Sequence, residues 1–417
     1  MKFYIETYGC AANKNDSEII AGILTKSGFI KISSPELADL IIINTCIVKK
    51  PTQTKIFYRI EELTKKFPKK KFLITGCIPE AYPELIRKNF PEISFVSTNR
   101  ICEIEKVIRK IFKNEKVELL GRLKKEKVCL PKIRENEIID IVQICSGCLG
   151  NCSYCATKLA KGNLISSKPE KIVKEIEVAK KIGVKEFWLT GQDIACYGFD
   201  IGTNLPKLLE KILEIKGKYF IRLGMLNPCH LKKIINQLLK VCEDGRIFKF
   251  FHIPIQSGSN KLLKQMNRNY KVRDFEKIIY KIRSKFPDAT IWTDIIVGYP
   301  TETENDFKET LELIKKLKFD WVNVSKFYYM EKTSAIKPKE TKISKKRSRI
   351  ASNLVKKIAI KKNKKWDMWE GEILIDGFSI GRNFAYKAIH LNGNIKLGKF
   401  LKVKTKVKGL KIIGKLI

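Results

Sequence analysis

The sequence predicts an α/β chain in three parts. These are an N-terminal parallel α/β sandwich domain (1–115), a central partial (β/α)6 barrel (138–365) and a small all-β barrel (366–417). Three observations carry this reading. Apolar strand-like runs alternate with amphipathic helical stretches through the first two parts, the pattern of parallel sheets covered by helices. Near residue 366 the pattern changes to short β runs separated by glycine turns. Between the first two parts, residues 116–137 are charged and lack a clean period, which reads as a linker. A chain of 417 residues is long enough for two or three domains, each with its own core. The balance of 44% hydrophobic and 30% charged residues excludes wholesale disorder, and 24 Gly with 14 Pro excludes a collagen-like chain.

In order, Lys2–Thr7 reads as a strand and Asp16–Thr25 as a helix that Asp16 or Ser17 can cap. Ala38–Asn44 is an apolar buried strand, and the polar helix Thr52–Lys65 follows. Phe72–Thr75 and Ile93–Val96 are strands, with helices at Pro83–Lys88 and Ile104–Phe112. Functional groups in such sheets collect just beyond the carboxyl ends of strands, and Cys10, Cys46 and Cys77 stand there. In the central part, strands are expected at Ile139–Ile144, Glu186–Thr190, Phe220–Met225, Phe248–Ile255, Ile291–Val297 and Trp321–Phe327. Helical patterns lie between them, and a basic helix, Lys345–Lys365, closes the region. Six strands alternating with helices suit a curved, incomplete barrel with its chemistry at the C-terminal rim. The last part carries β runs at Glu372–Leu374, Ala385–Ile389, Phe400–Val407 and Lys411–Ile417.

The charge narrows the partners. With 83 Lys and Arg against 44 Asp and Glu the net charge is +39. Such an excess favours a polyanion, because cationic side chains release counterions condensed on phosphate backbones. A general preference for surface lysine supplies part of it. No apolar run reaches the ~18–20 residues of a bilayer span, and the start lacks an apolar signal core, so a soluble, cytoplasmic protein is expected. Twelve cysteines in such a chain are not a disulfide framework.

Their spacing carries the chemistry. Cys148-Leu-Gly-Asn-Cys152-Ser-Tyr-Cys155 follows the strand Ile139–Ile144, so three thiols share one loop at the barrel mouth. Three thiolates of one loop can hold three irons of a 4Fe–4S cluster and leave the fourth open, thiolate being the soft ligand that iron–sulfur chemistry prefers. The competing reading is a zinc knuckle with Cys145 as an extra thiol. It is the weaker one, because no second knuckle follows. Three histidines in the whole chain disfavour His-based metal chemistry.

This loop resembles the signature of radical S-adenosylmethionine enzymes, and the resemblance implies the partial barrel, S-adenosylmethionine and a 4Fe–4S cluster whose open iron chelates that cofactor. It also implies a 5′-deoxyadenosyl radical that the protein positions and shields. Thr7-Tyr-Gly-Cys10-Ala-Ala-Asn13, Asn44-Thr-Cys46 and Thr75-Gly-Cys77-Ile-Pro79 narrow the resemblance to the methylthiotransferases. By that resemblance 1–115 is the methylthiotransferase N-terminal domain, where Cys10, Cys46 and Cys77 ligate a second 4Fe–4S cluster carrying sulfide or methylsulfide. Taken singly each of the three is better read as a core thiol; their matching placement after three successive strands favours the joint role. Thr190-Gly-Gln192-Asp193, Arg222-Leu-Gly-Met-Leu-Asn-Pro228, His252-Ile-Pro-Ile-Gln-Ser-Gly-Ser-Asn260 and the run from Asp294 to Glu304 extend it through the barrel. It implies cofactor contacts at Tyr154, Gln192 and Arg222, the last two with a structural rim contact as their alternative, and leaves His252 open between a structural and a functional role.

Gly381-Arg-Asn-Phe-Ala-Tyr386 resembles the small RNA-binding barrel called TRAM, which makes 366–417 a TRAM-like domain. Arg382 can pair with phosphate and Tyr386 can stack on a base, or Tyr386 can fill the barrel core. The family tends to show an Arg before a Pro-Gly-Thr turn near the last barrel strand; this chain reads Tyr328-Tyr-Met330-Glu-Lys-Thr333.

The activity the resemblance implies is replacement of an aromatic C–H by –SCH3. The cluster loop and the Leu159-Ala-Lys-Gly162 after it look most like the archaeal and eukaryotic branch that acts on threonylcarbamoyladenosine beside the tRNA anticodon. Isopentenyladenosine in tRNA or an aspartate of a ribosomal protein are the alternative substrates in the family. A basic RNA-binding protein with structural iron centres is the non-enzymatic alternative, which does not explain six thiols at ligand positions. The expected partners are tRNA and an electron donor such as ferredoxin or flavodoxin, with no membrane.

Overall fold

Six consecutive buried residues, Leu40–Thr45, form a central strand of a six-stranded sheet. The computed structural model to which it belongs describes residues 1–123, 126–337 and 342–417. Residues 124–125 of the expected linker and 338–341 of the expected barrel domain lie outside the described residues. The sheet runs Ile30–Lys31, Lys2–Thr7, Leu40–Thr45, Lys71–Gly76, Ser94–Ser97, Glu118–Leu119, and every neighbouring pair is parallel. Side chains alternate between its two faces with the period of two that a strand imposes. Ile41, Ile43, Ile74 and Phe95 enter one buried cluster, and Leu40, Ile42, Leu73 and Val96 the other. The helix Lys50–Lys66 covers the first face through Ile56, Ile60 and Leu63, while Ala11–Lys26 and Ile104–Phe112 cover the second. A strand buried on both sides must be apolar throughout, which is why Leu-Ile-Ile-Ile sits at the centre.

This sheet belongs to the first of two compact units, comprising Met1–Glu135, Ile141–Glu175 and Met330–Ser334. A short helix that the sequence pattern does not show, Cys77–Ala81, follows Gly76 directly. Gly76 has φ of 96°, and a Cβ there would lie 2.4 Å from the Thr45 carbonyl oxygen, so the chain turns where only glycine fits.

The second unit holds Asn136–Asp140, Ile176–Tyr329 and Ala335–Ile417. Glu186–Thr190 pairs in parallel with Phe220–Leu223, and Phe250–His252, Thr290–Val297 and Trp321–Lys326 pair in parallel in that order. A parallel bridge, Met225 to His252, links the two sets. Ile139–Gln143 begins in this unit as the sixth strand, and the preceding Ile138 carbonyl accepts from the Glu186 N–H at 3.0 Å. The expected strand Phe248–Ile255 shrinks to Phe250–His252. Pro254 has no N–H for the ladder, and the Lys249 N–H is taken by the Phe384 carbonyl at 2.8 Å.

The basic helix runs Lys342–Asn363. Beyond it, Glu370–Gly377, Ile380–Arg382, Ala388–His390, Phe400–Lys408 and Lys411–Leu416 close into a five-stranded barrel around Ile373, Ile375, Ile389, Val403 and Ile412. Its bore is narrow. A Cβ on Gly381 would come within 2.6 Å of Ile373 Cδ1, and one on Gly414 within 2.8 Å of Ile389 Cγ2. The strand expected at Ala385–Ile389 starts at Ala388 because 383–387 is a turn. Asn383 Oδ1 accepts from the Ala385 and Lys387 N–H groups, and Tyr386 takes φ of 60°.

Candidate iron–sulfur and cofactor sites

Three adjacent parallel strands deliver the N-terminal thiols. Cys10 caps the helix Ala11–Lys26 beyond Lys2–Thr7, Cys46 follows Leu40–Thr45, and Cys77 opens the helix after Lys71–Gly76. Thr7 pairs with Asn44 and Thr45 with Gly76, so the strand ends lie level and the cysteines emerge on one edge. Asn13 ties them together. Its amide donates to the Tyr8 and Thr45 carbonyls at 2.8 and 2.9 Å, and the thiols of Cys10 and Cys77 both point at its Oδ1, at 3.8 and 3.7 Å. At Gly9, with φ of 114°, a Cβ would lie 3.0 Å from Cys46 Sγ. Burial pushes the Cys77 thiol up to about 12 and also raises Cys46; Cys10 adds to both shifts, so the three groups sense one another. The Val48 N–H donates to Cys46 Sγ at 3.5 Å.

The second trio sits in a tight loop. The Gly150 N–H donates to Cys148 Sγ at 3.2 Å, the Cys148 N–H to the Gly162 carbonyl at 3.0 Å, and the Cys155 N–H to the Cys152 carbonyl at 3.1 Å. Gly147 takes φ of 76° and lies so close to Asn163 that a Cβ there would meet its carbonyl oxygen at 1.9 Å. Burial raises the Cys155 thiol and Cys152 raises it further, against the Lys158 and Thr157 N–H groups aimed at the sulfur. Amide donors on sulfur and a helix start behind the last cysteine are the surroundings a metal thiolate needs. Both trios therefore fit clusters held by thiolates.

The two trios share a unit and a core. The helix Thr157–Lys161, two residues past Cys155, packs on the helix Cys77–Ala81. Ala156 and Ala160 lie in the same buried cluster as Cys46, Cys77 and Ile78. Met330, which stands where the family tends to have Arg, is 5% exposed in that cluster, and the Tyr82 hydroxyl donates to the Glu331 carbonyl beside it at 2.7 Å. Cys145 is buried on the short strand Cys145–Ser146, and Tyr154 lies part-exposed in the turn between Ser153 and Cys155.

In the second unit, Gln192 lies just past the strand Glu186–Thr190. Asp193 next to it is buried, accepting from the Ala195 and Asn227 N–H groups and meeting His230 Nδ1 at 2.6 Å. His252, Asp294 and Asn323 come from three neighbouring strands: His252 Nε2 is 2.9 Å from Asp294 Oδ2, and Asn323 Nδ2 donates to Asp294 Oδ1 at 2.7 Å. The sequence motifs contained His252 and Asp294, but only the strand register pairs them.

Arg222, Arg382 and Tyr386, assigned above to two different ligands, come together. The Arg222 guanidinium lies over Trp188, Phe250 and Tyr386 at 4.7, 5.3 and 5.2 Å, and its Nε is buried without a hydrogen-bond partner among the described residues. Tyr386 packs on Phe248 and Phe250, with Arg382 over its ring at 4.7 Å. Arg382 Nε donates to Asp376 at 2.8 Å. Burial first, and then the nearby Asp376, push the Glu186 carboxyl up to about 7.

Comparison with known proteins agrees with this geometry. Residues 2–98 match the family model described as uncharacterized protein family UPF0004, and residues 142–314 match the radical SAM superfamily. A Pyrococcus abyssi protein named probable threonylcarbamoyladenosine tRNA methylthiotransferase is 40% identical over 90% of this chain and 89% of its own length. The Methanocaldococcus jannaschii protein of that name is 37% identical over 100% of this chain and 97% of its own length. The human threonylcarbamoyladenosine tRNA methylthiotransferase is 36% identical over 84% of this chain and 61% of its own length. Among solved structures, the cobalamin-dependent S-adenosylmethionine radical enzyme OxsB matches with a TM-score of 0.56 at 13% identity, covering 86% of this chain and 56% of that one, a likeness of fold. Membership of the superfamily implies S-adenosylmethionine and a 4Fe–4S cluster. The chain belongs to the threonylcarbamoyladenosine tRNA methylthiotransferase family of the radical SAM superfamily.

Proposed function

We propose that this chain inserts a methylthio group at carbon 2 of N6-threonylcarbamoyladenosine at tRNA position 37. In this reading Cys148, Cys152 and Cys155 hold the cluster that binds S-adenosylmethionine, and Cys10, Cys46 and Cys77 hold a second cluster that presents sulfur. The observation that carries it is the shared core: Ala156, next to Cys155, is buried in one cluster with Cys46 and Cys77. When bound, the cluster and S-adenosylmethionine supply reductive carbon–sulfur cleavage, the radical chemistry that an unactivated purine C–H requires.

The chain's own groups do the rest. The amide donors on Cys148 and Cys46 orient the sulfurs. The glycines at 9, 76 and 147 let the backbone pass close to Cys46, Thr45 and Asn163. Tyr154, Gln192 and Arg222 are the proposed cofactor contacts. Arg222 has an unpaired Nε for a polar ligand group, inside an aromatic enclosure that strengthens a hydrogen bond by excluding water. For Arg382 and Tyr386 the proposed RNA contact has to be made at the edge of their cluster, since the Tyr386 ring is already flanked by Phe248, Phe250 and two guanidiniums. Lys402, Lys406 and Lys408 alternate outward along Phe400–Lys408 and offer phosphate contacts. No described helix is long and apolar enough to cross a membrane. Work in the cytoplasm on tRNA, with an electron donor such as ferredoxin or flavodoxin, is part of the proposal.

Mass spectrometry of tRNA nucleosides from cells with and without the protein tests it. The 2-methylthio form of threonylcarbamoyladenosine should vanish in its absence. Loss of a methylthio group from isopentenyladenosine instead would overturn the substrate assignment.

A further inference from the structure

Behind the N-terminal trio lies a buried charge that does not balance. Lys161 is 2% exposed; its ammonium donates to Thr98 Oγ1 at 2.6 Å and to Asp16 Oδ2 at 3.3 Å. Lys127 donates to the other oxygen of the same carboxylate. Asp16 is 1% exposed and its ion pairs are with these two lysines. Among the described residues neither ammonium has a second carboxylate within ion-pair distance, so one buried and one part-buried cation share one anion. An uncompensated charge in a site that water barely reaches is strongly unfavourable. The missing anion has an obvious source. Thr98, which holds the ammonium, donates its own N–H to the carbonyl of Gly76, next to Cys77, at 3.0 Å, and negative charge on Cys77 and Cys10 favours a charged Lys161 against the opposing effect of burial.

The position of Lys161 in the chain matters as well. It ends the helix Thr157–Lys161 that follows Cys155, yet its head group reaches Asp16, in the helix that Cys10 caps, and Thr98, just past the strand Ser94–Ser97. One side chain thus joins the loop of one trio to the floor of the other.

We infer that Lys161 is the buried counter-charge of an anionic iron–sulfur centre on Cys10, Cys46 and Cys77, held in place by Asp16 and Thr98. The inference rests on the second-cluster reading above. Thiolate ligation supplies the negative charge, because a coordinating thiol is deprotonated outright. A fixed cation beside the centre favours its reduced, more negative form and so raises its potential. Lys127 keeps Asp16 paired if Lys161 is removed, so Lys161→Met leaves a neutral pair and not an orphaned carboxylate.

The full chain with Cys148→Ala, Cys152→Ala and Cys155→Ala isolates the N-terminal trio. It is reconstituted anaerobically with iron and sulfide, counted for iron, and titrated with a redox dye series followed by electron paramagnetic resonance, with and without Lys161→Met. The expected result is iron in both proteins, with the reduced-to-oxidised ratio at a set potential at least ~10-fold lower in the Lys161→Met protein, about 59 mV for one electron. An unchanged potential at full iron content overturns the inference while leaving the second cluster standing. No iron in the parent overturns the second-cluster reading itself. Thermal unfolding of the metal-free proteins separates a merely structural lysine. The counter-charge role predicts that metal-free Lys161→Met, and Lys161→Gln as a second variant, unfold no earlier than the parent. Earlier unfolding of both makes Lys161 a structural salt-bridge residue and overturns the assignment.

Discussion

Gly9→Ala perturbs the N-terminal trio through one methyl group. Gly9 has φ of 114°, where a Cβ is strained; the added atom would lie 2.9 Å from Cys46 Cβ and from Asn13 Nδ2, and 3.0 Å from Cys46 Sγ. Two costs add. The left-handed backbone costs ~1–2 kcal/mol for a non-glycine residue. Forcing a packed side chain aside costs a further ~1–3 kcal/mol. Gly28→Ala is the built-in control, because Gly28 has φ of 85° and nothing within 4 Å of its Cβ position. It should show the first cost alone. For a unit of this size ~1 kcal/mol moves the midpoint by ~2–4 °C. Gly28→Ala should therefore melt a few degrees low, and Gly9→Ala about twice as far below the wild type. The functional difference is larger. Displacing Cys46 removes one of three ligands, so iron after reconstitution should fall from about eight per chain, two clusters' worth, toward about four, while cleavage of S-adenosylmethionine persists. Gly9→Ala that melts with Gly28→Ala and keeps its full iron would refute the reasoning that Gly9 exists to let Cys46 approach.

Other outcomes follow from the same geometry. Cys152→Ala should abolish cleavage of S-adenosylmethionine, whereas joint replacement of Cys10, Cys46 and Cys77 should keep uncoupled cleavage and lose thiomethylation, each read by chromatography of the products. Glu186 is held near 7 in the fold by burial and then by Asp376, against about 4.5 unfolded. A raised carboxyl contributes stability below its unfolded pKa that is lost as pH rises through the folded one, here up to ~3 kcal/mol between pH 4.5 and 7. Melting curves of Glu186→Gln should lack that decline, with Arg382, Arg222 and Asp376 unchanged around it. Asp320 accepts from Lys387 at 2.9 Å and pairs with Lys362 at 3.4 Å while fully buried as a side chain; Asp320→Ala orphans two cations and should cost ~3–5 kcal/mol in urea unfolding. Replacing Lys402, Lys406 and Lys408 with Gln should weaken tRNA binding and flatten its salt dependence by ~0.7–0.9 in log–log slope for each phosphate no longer neutralised.

The order of elements and the ligand types were determined by the sequence alone, because both are local. Leu40-Ile-Ile-Ile reads as a doubly buried strand from its own composition, and Cys148, Cys152 and Cys155 lie within eight residues, so one loop must carry them. Packing between distant segments is not legible in the same way. Arg222 and Tyr386 are 164 positions apart, and nothing local says that both stack in one aromatic enclosure. The short helix at Cys77 was hidden because Pro79 reads as a turn, whereas the fold uses it after a glycine whose positive φ redirects the chain. His252, Asp294 and Asn323 became a linked set only through strand register. Tertiary structure alone also decided that Lys161, an ordinary lysine in a lysine-rich chain, is buried on Asp16 with a charge left over. Periodicity and spacing report what a segment prefers by itself; distances between segments are settled by packing, where burial and charge balance have to be satisfied together.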